Sequence, residues 1–248
     1  MTWSLIARDG SGAIGIAVAT RFFACGSLVV HIGRRAAVAT QAFVNPVWGT
    51  EGLTRLEAGQ DAATVIADLA VRDAGAAQRQ AHMIDAQGRI AVHTGSDCVD
   101  WAGHLTGDDW SVAGNMLAGP QVVAETAQVF AERRDLDLPQ RMLTAMEAGE
   151  AAGGDKRGRQ SAALRIHRGE AHPWLDLRAD DHSDPLAELR RLLAVAGERY
   201  LIMARALPTE ARFSGAPDRS GIDREIAEAE ERRRAEGRIS ASFATSGA

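Results

Sequence analysis

Ser4-Leu5-Ile6-Ala7, then Asp9-Gly10-Ser11-Gly12, then Ile14-Gly15-Ile16-Ala17-Val18-Ala19 stand at the head of the chain. Two apolar runs joined by residues of turn chemistry predict a β-hairpin. Neither run alternates apolar with polar residues, as a strand with one wet face would, so the sheet is expected to be covered on both sides. A third run, Leu28 to Ile32, turns at Gly33-Arg34-Arg35 into Ala36 to Val44, and Asn45-Pro46 is expected to break it.

Beyond residue 50 the period changes. Leu53 and Leu56, then Val65, Ile66 and Leu69, recur at helical spacing, with Gly59 placed to end a short helix and Asp61 to cap a longer one. His82-Met83-Ile84 and Ile90-Ala91-Val92 flank Asp85-Ala86-Gln87-Gly88, a second hairpin, and Trp110 to Met116 is a further strand. Gly119-Pro120 opens a helix with the stripe Val123, Ala127 and Phe130; Leu138, Met142 and Met146 mark the next, which Gly153-Gly154 terminates. Ser161 to His167 and Trp174 to Leu177 return to strand character. Asp184-Pro185 then starts a helix with Leu186, Leu189, Leu193, Ala196, Tyr200 and Met203 on one face. Hairpins and paired helices, rather than strict strand-helix alternation, predict an α+β fold of two mainly antiparallel sheets with helices outside, without an internal repeat.

The 248 residues suffice to bury a core without disulfides or metals. Lys plus Arg at 28 against Asp plus Glu at 33 gives a net charge of −5, so neither nucleic acid nor an anionic membrane is an expected partner. No run approaches the roughly 18 to 20 apolar residues of a membrane span. The start, Met1-Thr2-Trp3-Ser4, has no basic segment leading into an apolar one, and Cys25 and Cys98 are too few for a disulfide framework, so the cytoplasm is the expected compartment. From Pro208 onward Leu, Val, Met and Trp are absent and residues 218 to 238 are dense in acids and arginines. Residues 1–207 are therefore the expected domain and 208–248 a charged, apolar-poor tail, helical or disordered, with a partner-binding arm as the other reading.

The chain has no phosphate-binding Gly-rich loop ending in Lys-Ser or Lys-Thr, no Gly-x-Ser-x-Gly elbow, no His-Glu-x-x-His and no Cys-x-x-Cys. Thr2 stands out instead. An initiator Met before a small residue is normally removed, which would leave Thr2 N-terminal at the head of a buried strand. Its α-amine, with an ordinary pKa of about 7.7 to 8, would accept the hydroxyl proton near neutral pH, so one residue would supply both nucleophile and base. A threonine after Met is also common in ordinary proteins, and the residue alone does not decide.

Longer motifs bear on it: Thr2-Trp3-Ser4-Leu5-Ile6-Ala7-Arg8-Asp9, Gly15-Ile16-Ala17-Val18-Ala19-Thr20-Arg21-Phe22, Ala39-Thr40-Gln41-Ala42, Asn45-Pro46, Trp101-Ala102-Gly103-His104, Gly114-Asn115-Met116-Leu117-Ala118-Gly119 and Gly153-Gly154-Asp155-Lys156-Arg157-Gly158-Arg159-Gln160-Ser161-Ala162. Over about residues 2 to 207 the chain resembles a bacterial and archaeal family of unknown function, domain of unknown function 1028, which is classed with the N-terminal nucleophile (Ntn) hydrolases. The resemblance implies a four-layer αββα sandwich. It also implies an amidohydrolase that cleaves an amide or related C–N bond of a small, anionic substrate, with no cofactor and no metal, in a homodimer. Thr2 matches the nucleophile, Arg21 the polar residue that orients it and Asn115 the oxyanion donor. Asp155, Lys156 and Arg159 follow a double glycine in a loop rich in donors, suited to the substrate's anionic end; Lys156 is the chain's sole lysine.

Plainer readings stand beside these. Arg21 would reach solvent from a strand end, Asn115 would cap the next helix, and residues 155–159 would form a solvated loop. A non-catalytic member would use the same cleft only to bind a small ligand. Asp176, Asp180, Asp181, His182 and Asp184 gather carboxylates and an imidazole as a metal-dependent hydrolase would, although Asp184 also suits an N-cap and an acidic loop is ordinary surface. His93, Cys98 and His104 fit no zinc spacing and read as core or hydrogen-bonding residues.

Overall fold

The computed structural model describes residues 2–244, and contacts within the chain gather into two compact units, Met1–Leu189 and Arg190–Ala248. In the first unit the opening hairpin forms as the sequence predicts: β1 (Thr2–Arg8) pairs antiparallel with β2 (Ile14–Thr20). β3 (Val30–Ile32) and β4 (Ala37–Ala42) follow, then α1 (Pro46–Glu57), α2 (Ala62–Arg72), β5 (Arg79–Ile84), β6 (Ile90–Thr94), β7 (Gly103–Thr106) and β8 (Trp110–Asn115). The pair α3 (Pro120–Glu132) and α4 (Leu138–Ala151) leads into β9 (Ser161–His167) and β10 (Leu175–Ala179). The strands make two antiparallel sheets, one of six in the order β10-β9-β2-β1-β8-β7 and one of four in the order β3-β4-β5-β6.

The lack of alternation in the strands has a direct structural cause. On β4, Ala37 and Ala39 join Ile6, Ile16, Val18 and Val30 in a core shared by the two sheets. Val38 points the other way, into a second core with Trp48, Leu56, Val65 and Leu69 from α1 and α2. Both faces of the strand are dry, so both parities are apolar. β1 and β8 face β5, and β1 and β2 face β4, while α3 and α4 pack on the six-stranded sheet through β1, β2, β7, β8 and β9.

Several boundaries differ from the sequence reading. The β4 run ends before Asn45-Pro46 as expected, and the pair also starts α1, earlier than the helical spacing from Leu53 announces: the Asn45 side chain caps Val47 N at 3.0 Å and Pro46 occupies the first turn, where its missing N–H costs nothing. α1 is accordingly 12 residues long and α2 11, the reverse of the expected order. Leu28 lies outside β3, because Cys25–Ser27 form a 3-10 turn whose carbonyl at Cys25 accepts from Leu28 N and Val29 N. β7 has no apolar run to announce it, being an edge strand with His104, Leu105 and Thr106 exposed. Asp61 caps α2 as expected, accepting from Thr64 N at 3.0 Å.

α5 (Pro185–Glu198) begins with Asp184 accepting from Ala187 N at 3.1 Å. The helix stops there: Tyr200 and Met203 belong to a separate turn, α6 (Tyr200–Met203), since Arg199 leaves helical geometry at φ −146. In the second unit α7 (Ser220–Ala235) carries the dense charges, and Arg233 pairs with Glu198, which also accepts from Ser240 Oγ at 2.7 Å. Among the described residues no helix is long and apolar enough to cross a membrane.

The 3-10 turn after β2 lies tight on the sheet. A Cβ on Gly26 would stand 2.5 Å from Ala163 Cβ on β9, closer than two carbons approach. Gly26→Ala is therefore expected to lower unfolding free energy by about 1–3 kcal/mol, read as a shift of the urea midpoint without a change of slope. A variant as stable as the parent would show that this contact is not close-packed.

Candidate active site

Thr2 opens β1 at the centre of the six-stranded sheet, between β2 and β8. It is buried, and its Oγ1 lies 3.3 Å from Thr20 Oγ1 at the end of β2. Both hydroxyls line a cavity of about 280 Å³ whose other walls include Phe22, Phe23, Leu28, Val29, Gln41 and Phe43. Cys25 also lines it, but burial pushes its thiol up to about 12, so at neutral pH it is a protonated side chain and not a competing nucleophile. A second cavity of about 410 Å³, sharing Ala42 and Phe43 with the first, is lined further by Cys98, Asn115 and Met116.

The backbone around these cavities is held in unfavourable conformations. Among the described residues the non-glycine residues with positive φ are Ala24 at 51°, Ala42 at 69° and Met116 at 53°, each of which lines one of the two cavities or both. Such strain persists only where the surroundings enforce it, and it gathers at functional sites. Part of the enforcement is visible at Phe43: Arg79 stacks on its ring at 5.0 Å, donates to its carbonyl, and is itself clamped by Asp73 at 3.0 Å. Asp73 is held well below the usual carboxylate range, first by Arg79 and then by Asn45, the cap of α1.

Behind Thr2 a polar network crosses between the two sheets. Gln41 Nε2 donates to the Thr2 carbonyl at 3.3 Å, to the Ala113 carbonyl at 3.1 Å and to Gln80 Oε1 at 2.8 Å. Gln80 Nε2 reaches the Gly114 carbonyl at 2.9 Å and the Gly103 carbonyl at 3.3 Å. Ser4 Oγ donates to Gln41 Oε1 at 2.7 Å, so at 2.8 Å from His82 Nε2 it accepts, which places the His82 proton on Nε2 and leaves Nδ1 to accept from Ser111 Oγ at 2.8 Å. His82 is thus a neutral imidazole with both nitrogens used, and burial pushes it down to about 3.

Thr2 and Asn115 are paired across β1 and β8, and Asn115 Nδ2 donates to the Thr2 carbonyl at 3.4 Å and to Gln80 Oε1 at 3.0 Å. It caps no helix, and its amide protons are directed at these acceptors. Arg21 makes no side-chain hydrogen bond to Thr2; a partner of the Thr2 hydroxyl is Thr20, one residue earlier than Arg21. Asp155 is buried, and its carboxylate accepts from Arg21 N at 2.8 Å, Arg157 N at 2.9 Å and Arg157 Nη2 at 2.9 Å. Lys156 Nζ donates to the Asp100 carbonyl at 2.8 Å. Arg159 pairs with Glu150 at 2.6 Å and Asp184 at 2.9 Å. Lys156 and Arg159 therefore line neither cavity beside Thr2. Met1, whose removal the nucleophile reading requires, lies outside the described residues.

The acidic stretch is spread over separate partners: Asp176 on Arg165, Asp180 on Arg178, Asp184 on Arg159, and Asp181 accepting from Gln160 Nε2. Among the described residues no three His, Cys, Asp or Glu side chains gather as a metal site would require. His93 Nε2 donates to the Ala76 carbonyl at 2.9 Å and Cys98 Sγ to the Arg79 carbonyl at 3.3 Å, both as hydrogen-bonding residues.

The model of DUF1028, a family of unknown function, matches residues 2–189. The chain belongs to the DUF1028 family. A crystal structure of a DUF1028 protein from Silicibacter pomeroyi superposes with a TM-score of 0.80 at 32% identity, over 86% of this chain and 94% of that one. Anbu (ancestral beta-subunit) from Yersinia bercovieri reaches a TM-score of 0.40 at 13% identity, over 84% of this chain and 98% of that one, a likeness too slight to assign a fold. No curated protein matches. The family identity thus extends over the elements that build the Thr2 cavity.

His82 supplies a pH test of the network. Unfolded, its imidazole takes a proton near 6.5; folded, it stays neutral to about 3. The unfolded chain therefore binds the extra proton throughout that window, and the stability due to this neutral site is present above about pH 6.5 and lost as pH falls towards 3. Urea unfolding between about pH 6.5 and pH 4.5 should show His82→Gln losing up to about 1.4 kcal/mol per pH unit of the parent's slope. Equal slopes in parent and variant would contradict the neutral assignment.

Proposed function

We propose that this DUF1028 protein is an Ntn-type amidohydrolase, with a four-layer αββα arrangement, that cleaves an amide or related C–N bond of a small molecule. The observation that carries the reading is the position of Thr2: first residue of a central strand, hydroxyl against Thr20, in a cavity bounded by strained backbone. The α-amine freed by loss of Met1 takes the Thr2 hydroxyl proton as Oγ1 attacks the carbonyl carbon and the carbonyl electron pair moves to oxygen. The C–N bond then breaks, the leaving nitrogen takes the proton held by the amine, and water adds to the Thr2 ester by the same route, releasing the acid and restoring Thr2.

In this reading Asn115 and Gln41 fix the Thr2 carbonyl, and Thr20 takes the orienting contact expected of Arg21. The oxyanion falls to backbone N–H groups of the cavity wall. Those of Phe22 and Phe23 donate no hydrogen bond to any described residue. One observation favours a second reading, a ligand-binding member without turnover: the Asn115 amide is already spent on Gln80 and Thr2.

The two separate on one experiment. For any amide found to be hydrolysed, Thr2→Ala should lower kcat by about 10³-fold or more, and Thr20→Val by about five- to tenfold through loss of one hydrogen bond to the nucleophile. Binding of amides without turnover in a protein with a free Thr2 amine would favour the second reading, and turnover untouched by Thr2→Ala would contradict the first.

A further inference from the structure

Two recesses are lined by successive residues of the turn that follows β2. Thr20 and Phe22 line the cavity holding Thr2, while Arg21 between them lines a recess of about 530 Å³ together with Arg159, Gln160 and His182. The chemistry of the two is opposite. On the Thr2 side the walls are apolar, and their aromatic rims are open to solvent: Phe22 is 61% exposed, Phe23 62% and Phe43 68%. Large apolar side chains so exposed and so grouped mark a surface that something covers.

On the other side stands a cation that no described residue neutralises. The arginines around it are each engaged by a carboxylate, Arg157 by Asp155, Arg159 by Glu150 and Asp184, and Arg178 by Asp180. The Arg21 guanidinium has no hydrogen bond or ion pair with any described residue. Its main chain is nonetheless fixed, because Arg21 N donates to the buried Asp155 carboxylate at 2.8 Å. Asp181, the carboxylate in the same recess, accepts from Gln160 Nε2 at 3.1 Å. A guanidinium fork on an anchored backbone, open on its ligand side, suits a planar carboxylate.

Resting on the amidohydrolase reading above, we propose that the substrate is an N-acylated amino acid, its apolar acyl group against Phe22, Phe23 and Phe43 and its carboxylate on Arg21. The assignment of ends follows from the reaction. The acyl group stays bonded to Thr2 after the C–N bond breaks, so it occupies the cavity that contains Thr2. The amine half departs, and its carboxylate meets the residue next to Thr20, on the solvent side.

Binding and turnover test this separately. Phenylacetylglycine carries both ends, phenylacetylglycinamide lacks the carboxylate, and acetylglycine lacks the apolar acyl group. Calorimetric titration into Thr2→Ala protein, which does not turn over, should show phenylacetylglycine binding about tenfold or more tightly than either of the others. Adding Arg21→Ala should remove its advantage over the glycinamide only, and adding Phe23→Ala should reduce its advantage over acetylglycine only. Circular dichroism of each variant checks that the fold is kept, with Arg21→Gln replacing any Arg21→Ala protein that fails.

Equal binding of phenylacetylglycine and its amide, an Arg21 change that weakens all the probes alike, or no binding of phenylacetylglycine at millimolar concentration would overturn the inference. The predicted binding pattern without hydrolysis by the parent would keep the assignment of the two ends as a ligand's and sink the amidohydrolase reading, so that the N-acylated amino acid would be a ligand and not a substrate. Hydrolysis of amides regardless of either end would do the reverse.

Discussion

The Thr2 carbonyl lies buried between two apolar sheets with Gln41 and Asn115 both donating to it, and much of the local structure follows from satisfying the groups that do so. Each polar side chain placed between dry sheets must find a partner there, since an unpaired one costs about 1–3 kcal/mol. Gln41, Gln80, Asn115, Ser4, His82 and Ser111 meet that demand among themselves and with backbone carbonyls of β1 and β8. Because these residues come from both sheets, the network fixes the register of one sheet on the other where the apolar side chains alone would tolerate sliding. It therefore sets the position of the first residue of β1 to within hydrogen-bond tolerance.

That rigidity explains how the cavity at Thr2 can be bounded by residues in poor conformations. Ala24, Ala42 and Met116 leave the ends of ordered elements: the 3-10 turn packed on Ala163, the end of β4 beside Gln41, and the residue after Asn115. Two of the three directly follow members of the network, so the same hydrogen bonds that locate Thr2 also force the chain into its turns around it. The result is a recess with an apolar rim at Thr2 and, beside it in sequence, a separate recess lined by Arg21, whose guanidinium has no partner among the described residues.

Much of this fold could be read from the sequence because its signals are local. The turn Asp9 to Gly12, the cap at Asp61, Gly119-Pro120 and the double apolar parity of β1, β2 and β4 each report a nearby physical requirement. What was not legible depends on partners distant in the chain. Asn45-Pro46 reads only as the end of a strand until the side chain is seen capping Val47 at the start of α1, and β7 becomes a strand only by pairing with β8. At the site, Thr2 and Asn115 were visible through motif resemblance, and the structure sets them side by side. Gln80, His82 and Thr20 were not singled out, for nothing in single-residue spacing says that a glutamine or histidine in an apolar strand will face another sheet's carbonyls. Asp155 and Arg159 were expected at a ligand as members of a donor-rich loop; Asp155 is buried on Arg21 N and Arg157, while Arg159, paired with Glu150 and Asp184, lines the Arg21 recess.

The account turns on whether Thr2 carries a free α-amine in the mature protein. Intact-mass spectrometry of protein purified from a host with ordinary methionine processing decides it most directly. The account predicts a single species lighter than the full sequence by one methionine residue. A species that retains Met1 in full would remove the general base, and with it the claim that Thr2 is a nucleophile.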